Sequence, residues 1–354
     1  MINVSDWKHR KERYEQYWNL ENKTPILYIT SPKENANYDK SLYNVPSDTY
    51  WFDPSWKIKA IRDDFNNTYF GGDSFPYVSP SLGPDIMSGF LGLKIIYNEA
   101  SSWVEHKDCH LSELANLKFD KENNFYFNKM TEMLKAFTED AKNGDYIVGM
   151  VDLNPGADGI ASLIGADKLC FEMMDNPDDV DMMNRKILDL YKYVYTYFDN
   201  IVTKYQGGNT NWLGVYSDIP WYFISCDFMC MVSPKSFDRF LDWEIRERAK
   251  FHKRSMFHLD GENAVVHLDK ILKIDDITAV EVQATPYVHC AKMWVEYIKK
   301  IQDAKKCVWI EAKNEEDIKV LMENCKPEGL FIKTWADSEE KVKRIEDMVN
   351  DFYK

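Results

Sequence analysis

The sequence predicts an α/β protein: a (β/α)8 TIM-type barrel with an elaborated N-terminal segment covering the barrel mouth. Three observations point there. Short apolar, β-branched runs recur along the 354 residues, amphipathic segments lie between many of them, and from about residue 254 strand and helix alternate without a break. Strands alternating with helices at this pace pair in parallel, because each crossover helix returns the chain to the same end of the sheet. About eight such runs suggest a closed barrel more than an open doubly wound sheet. Neither GxGxxG nor GxxxxGKS/T follows any of them, which removes the usual support for nucleotide binding.

In chain order, residues 5–19 read as a helix with Trp7, Tyr14 and Trp18 on roughly one side. Strands are expected at 25–30, 146–152, 211–218, 221–227, 254–260, 277–283, 306–312 and 329–335. Helices are expected at 125–143, 178–206, 234–253, 291–305, 314–325 and 338–353. Two helix starts are visible: Asn176 before "PDDV", and Ser233 as a cap with Pro234 at the first helical position. The region 31–125 fits the repeat worst, being rich in Tyr, Trp, Asn, Pro and Gly, and reads as a few helices over one mouth of the barrel. With no internal repeat or Gly/Ser linker, one domain spanning 1–354 is expected, with 1–125 as a helical and loop elaboration that includes the first strand.

Composition narrows the function. Hydrophobic residues make up 45% and aromatics 14%, so a sizeable core is available. A formal charge of −14 repels phosphate backbones and anionic lipid, so neither nucleic acid nor a membrane surface is expected as partner. The basic cluster Arg246, Arg248, Lys250, Lys253 and Arg254 reads as a solvated helix face. The N-terminus lacks the apolar segment of a signal peptide, and no run approaches a membrane span. Seven cysteines without a CxxC suggest neither a disulfide framework nor a zinc ribbon. A cytoplasmic protein is the expectation.

In a barrel, side chains closing successive strands converge where strands run into helices, and active sites form there. Those candidates are Asp152 and Asn154, Tyr216 and Asp218, Cys226 and Asp227, His258 and Asp260, Glu281 and Gln283, Glu311, then Thr334 and Trp335. Carboxylates brought into one hollow need a metal, a cation or hydrogen-bond donors to offset the cost of burial. Taken singly, Asp152, Asp218 and Asp227 are equally explained as helix caps. His258 and Asp260 in "FHLDG" are the sharper pair, since residues two apart on a strand point the same way. They can share one cation, or the carboxylate can orient the imidazole for proton transfer. Glu281, Gln283 or Glu311 would complete a metal site. His267 and Asp269 read as capping and surface residues, and His289-Cys290 as loop entering a helix.

"CDFMCMVSPKSFDRFL", about thirty residues before "FHLDG", followed by "ITAVEVQATP" and "EGLFIKTW", resembles the uroporphyrinogen decarboxylase-like superfamily; so do "LGPDIMSGFLG" and "GDYIVGMVDLNPGADGIASLIGADKLCFEMMDNPDDV". The resemblance spans roughly residues 65–350. It implies a barrel, and a choice between tetrapyrrole decarboxylation and zinc-dependent methyl transfer from or to a corrinoid protein. The decarboxylases' N-terminal Arg-Gln-Ala-Gly-Arg stretch has no counterpart here, where Arg62 is the only arginine between 14 and 184. The methyltransferases' His-x-Cys becomes His258 and Asp260, and no cysteine stands near Thr334-Trp335 for the later ligand. Zinc or another divalent metal held by His258, Asp260 and Glu311 would therefore be harder than a thiolate site, favouring an oxygen or amine donor over a thiol.

The expected function is thus a corrinoid-linked methyltransferase acting on a small methylated substrate. His258, Asp260, Asp227 and Asp152 are the catalytic candidates, and Trp212, Tyr216, Gln283, Trp335, Phe75 and Trp51 the substrate-enclosing ones. The expected partners are that small molecule, a protein supplying the methyl-corrinoid and, at most, a second copy in a homodimer. A decarboxylase or lyase using Asp152, Asp227 or Asp260, and a non-catalytic barrel that binds a small ligand, are the alternatives.

Overall fold

The computed structural model describes residues 6–99, 101–283 and 291–354. About half of the chain is helical, around a mostly parallel central sheet. The strands are β1 (Ile26–Pro32), β2 (Thr68–Gly72), β3 (Tyr77–Val78), β4 (Ile95–Tyr97), β5 (Ser102–Val104), β6 (Ile147–Val148), β7 (Trp221–Ile224), β8 (Arg254–Asp260), β9 (Ala279–Gln283), β10 (Cys307–Glu311) and β11 (Leu330–Trp335). The main sheet runs β2-β1-β11-β10-β9-β8-β7, parallel throughout except for β2, which lies antiparallel on the edge. β3 and β6 form a separate parallel pair, and β4 and β5 a hairpin. Near-continuous apolar runs such as "CVWI" and "LFI" suit strands covered on both faces.

Six of the eight expected strands form close to where the periodicity puts them. The exceptions are instructive. The run 146–152 pairs only at Ile147–Val148. The run 211–218 forms no strand, only an isolated bridge between Asn209 and Ser217. Asn211 turns the chain by accepting from the Leu213 N–H, and Gly214 adopts φ +77 against the Tyr28 and Tyr77 rings, where a side chain would not fit. Within 31–125, β2 to β5 were not anticipated, because these strands are short and lack an alternating pattern. Ser233 caps its helix as expected, accepting from Ser236 N–H, but Asn176 donates to Glu172 instead of capping. His289 and Cys290 lie outside the described residues.

The first helix, Trp7–Trp18, closes the end of the sheet where the parallel strands begin. Its Tyr17 hydroxyl donates to the Val308 carbonyl, its Glu15 carboxylate binds Arg254 at the start of β8, and Tyr14 and Tyr17 pack on Phe331. The rest of the N-terminal region does not all lie at that end of the sheet: Pro84 to Ser88 lie beside Asp227, which follows the carboxyl end of β7. Two hydroxyls tie the separate pair to the main sheet. Tyr28 on β1 donates to Phe75 O at 2.9 Å, just before β3, and Tyr222 on β7 accepts from Leu153 N–H at 2.8 Å, just after β6.

The basic cluster is a solvated face only in part: Arg246, Lys250 and Lys253 are exposed, but Arg248 and Arg254 are not. Arg248 is fully buried, paired with equally buried Glu244 at 2.5 Å, and Arg254 is buried against Glu15. The Glu244 carboxylate occupies the space above Gly156, whose φ of +74 and lack of a side chain admit it. Beside this pair, His252 is buried and bonded to the Tyr191 hydroxyl at 2.6 Å.

Two expected outcomes follow. Arg248→Ala should destabilise the fold by about 3–5 kcal/mol in urea denaturation, whereas Arg248→Met with Glu244→Leu should cost much less, because no buried charge is left alone. Burial, reinforced by Arg248, holds His252 down to about 3, so the folded protein refuses a proton that the unfolded chain accepts near 6.5. Its contribution is complete above that pH and is lost as pH falls towards 3. The melting temperature of the wild type should therefore drop more steeply between pH 6.5 and 4 than that of His252→Gln.

Candidate functional site

Parallel pairing of β8 with β9 sets His258 opposite Glu281 and Asp260 opposite Gln283, and paired residues in a parallel sheet project from the same face. His258 Nδ1 lies 2.6 Å from Glu281 Oε2. With Nδ1–H donated there, Nε2 faces the open end, 3.9 Å from Asp227 Oδ1. Asp227 opens the turn that follows β7. Asp227, His258 and Asp260 each present a donor atom within 4.8 Å of the other two. The Phe223 ring stands edge-on to the imidazole at 6.2 Å, and Trp212 packs on Phe223 at 4.0 Å.

Electrostatics bind the group together. Burial by itself would depress the imidazole, but the charge and hydrogen bond of Glu281, then Asp227 and Asp260, override it and hold His258 up at about 10. The Asp227 side chain is 57% exposed, yet its carboxyl is raised, by desolvation on its protein side against the pull of His258, with Asp260 and Glu281 adding like charge. Asp152 is pushed up to about 7 by burial, against the opposing effect of His258, and its Oδ1 has no hydrogen-bond partner. It is a carboxyl poised to give up a proton near neutral pH.

Two residues that sequence reasoning missed hold the Asp227 turn. Asp158, in the first turn of the helix Gly156–Ile164, accepts from the N–H groups of Asp227 and Phe228 at 3.0 and 2.9 Å. Burial, with the neighbouring Asp227 charge, raises its carboxyl to about 6. His267 is fully buried; its Nε2–H donates to the carbonyls of Met229 and Val232, and its ring stacks on Phe237. The expectation that His267 caps the following helix at the surface is thereby corrected, while Asp269 does lie outside, paired with Lys300. The only sequence signal for Asp158 was a carboxylate set among glycines after a strand, in "NPGADG". A cavity of about 340 Å³ opens beside Asp227, lined by Asp158, Asn154, Ser88, Ser162 and Met231 among others.

The remaining candidates divide. Trp212 and Gln283 stay half-buried near the group. Glu311 points outward to Lys313 at 2.8 Å and is not among the three converging donors. Phe75 is fully buried among Trp7, Tyr14 and Tyr77, and Tyr216 is buried beside it with its hydroxyl on Asp218; both belong to the packing under the first helix. Trp51 is buried against Tyr97 and bonds the Asn98 carbonyl, and Trp335 is 61% exposed at the tip of β11. Cys226 is buried and its thiol is pushed up by burial, the opposite of what a thiolate nucleophile needs.

Fold and site thus define a mixed α/β protein with one imidazole and several carboxylates gathered at the carboxyl ends of parallel strands. No model of a known protein family matches the chain, and no curated protein matches it. Among the described residues, no helix is long and apolar enough to cross a membrane. A direct check of the centre is the titration of His258 by NMR: the wild-type imidazole should stay protonated at pH 8, and Glu281→Gln should let it deprotonate by about pH 7. A wild-type midpoint near 6.5 would refute the coupling.

Proposed function

We propose that this chain is a metal-assisted methyltransferase of the corrinoid-linked type, a divergent member of the uroporphyrinogen decarboxylase-like superfamily built on a closed (β/α)8 barrel. Closure is supported by the two tethers already described. With β3 and β6 the parallel strands number eight, the count a closed barrel needs, while the antiparallel β2 holds the outer edge of β1.

The observation that carries the function is the convergence of Asp227, His258 and Asp260 at one point, with Glu281 behind the imidazole. A carboxylate that fixes the ring of a ligating histidine and raises its basicity is a recurrent support for metal ligands. One nitrogen and two carboxylate donors fit zinc or another divalent cation of borderline to hard character. When bound, such a cation supplies Lewis acidity towards an oxygen or amine of the substrate. Within the chain, Glu281 orients His258, Asp158 and His267 hold Asp227 in reach, and Phe223 and Trp212 limit water on one side of the imidazole. Asp152 supplies a proton to a departing group. Unloaded, the imidazolium itself balances the carboxylates around it.

A second reading rests on Asp152: its carboxyl, raised to about 7 and with no hydrogen-bond partner at Oδ1, would serve a decarboxylase or other lyase without metal. Calorimetric titration of Zn²⁺ into chelator-treated protein should reveal one site, weakened at least about tenfold in His258→Ala and in Asp227→Ala. The same preparation, offered free cob(I)alamin with a panel of methylated amines and methyl ethers, should form methylcobalamin, and His258→Ala should not. Absence of Zn²⁺ binding together with carbon dioxide release from a carboxylic acid would transfer the assignment to the lyase.

A further inference from the structure

The face of the sheet that bears His258 also bears a lysine. Register carries the face across the strands: His258 sits opposite Glu281, Glu281 opposite Trp309, and Trp309 opposite Phe331. Lys333 follows Phe331 by two residues on β11 and so shares that face. Along β11 this face runs from buried Phe331 through half-buried Lys333 to exposed Trp335.

Its surroundings are unusual for a cation in a protein of charge −14. Nζ lies 5.5, 5.9 and 5.8 Å from the ring centres of Tyr28, Tyr77 and Trp309. It donates to the Trp212 carbonyl at 3.1 Å and to the Tyr77 hydroxyl at 3.3 Å. Among the described residues no carboxylate pairs with it; Glu311, its neighbour across the β10–β11 pairing, turns away to Lys313. An ammonium has three donors, and the two bonds leave one. Lys306, which among the described residues also bonds no carboxylate, is by contrast buried and held by the Ile274 and Ile277 carbonyls. Three rings stabilise the charge of Lys333 without neutralising it.

Trp212 links the lysine to the His258 group, through its carbonyl on one side and its ring on Phe223 on the other. Three strand spacings of about 4.8 Å separate β8 from β11, and Lys333 lies two residues beyond the position level with His258, so on a flat sheet the two backbone positions stand roughly 16 Å apart.

We propose that Lys333 anchors a carboxylate on the substrate, so that the molecule treated at His258 is a small carboxylic acid bearing its methylated oxygen or nitrogen at the other end. This deepens the methyltransferase reading and rests on it for the identity of the reacting end, but not for the anchor. The test compares matched probes, methoxyacetate with 2-methoxyethanol and N,N-dimethylglycine with dimethylethanolamine, by ligand-observed NMR titration. Each carboxylate should bind the wild type about tenfold or more tightly than its carboxylate-free partner, as a half-buried charge-assisted contact provides. Lys333→Met should abolish that preference while leaving Zn²⁺ affinity unchanged. Lys333→Gln, which keeps a donor for the Trp212 carbonyl, should lose it too and guards against a folding defect in the first variant. Equal binding of acid and carboxylate-free probe, no binding of either acid to the wild type, or a preference that survives both substitutions would overturn the anchor. Running the comparison on metal-free protein separates the two readings, because failure of Zn²⁺ binding leaves the carboxylate preference to be judged by itself.

Discussion

The hydrogen bond between His258 and Glu281 is the interaction on which the candidate site turns. Glu281 is a carboxylate with only 2% of its side chain exposed, and a charge so placed demands a partner. The imidazole is that partner, and in accepting the role it loses its freedom to rotate and points Nε2 towards Asp227. The arrangement exists only because β8 and β9 pair in parallel with one particular register. A slip of one residue would turn every side chain on β9 to the other face and leave both groups buried and alone.

The flank of the site is less regular and needs more support. Asp227 lies on a short turn after β7, not on a strand, so sheet register cannot hold it. Instead Asp158 receives two of the turn's backbone N–H groups and His267 gives its own N–H to two of the turn's carbonyls. Backbone donors and acceptors that secondary structure would otherwise satisfy are here taken by side chains from two other segments. Beneath them the Glu244–Arg248 pair fills the space left by Gly156, so the helix that carries Asp158 rests on an ion pair shut away from water.

Aromatic residues serve two purposes in this chain. At the end where the strands begin, Trp7, Tyr14, Phe75 and Tyr216 interlock at ring separations of 5.0–6.3 Å and seal the interior under the first helix. Around Lys333, by contrast, Tyr28, Tyr77 and Trp309 surround a charge. Residue type alone does not separate these uses, which is why Phe75 and Tyr216 read as substrate-enclosing from their sequence positions and prove to be packing.

The strands from Arg254 onward were legible from the amino-acid order because parallel strands covered on both faces need uninterrupted apolar runs, and amphipathic helices must repeat near 3.6 residues. The pairing of His258 with Asp260 on one face was legible for the same reason, being a matter of alternation within one strand. What local order could not express is distance across the chain. Glu281 stood out only as one of several strand-end oxygens, His267 looked like a helix-capping residue, and neither Asp158 nor Lys333 stood out at all. The short β3 left no periodic trace, since two residues cannot display an alternation, whereas β6 forms inside the expected run 146–152. The sequence by itself therefore determined the alternating parallel architecture and the candidate imidazole, both set by local periodicity. Only the tertiary structure decided which carboxylates meet that imidazole and which rings surround Lys333, because strand register and turn anchoring are agreements between segments that are far apart along the chain.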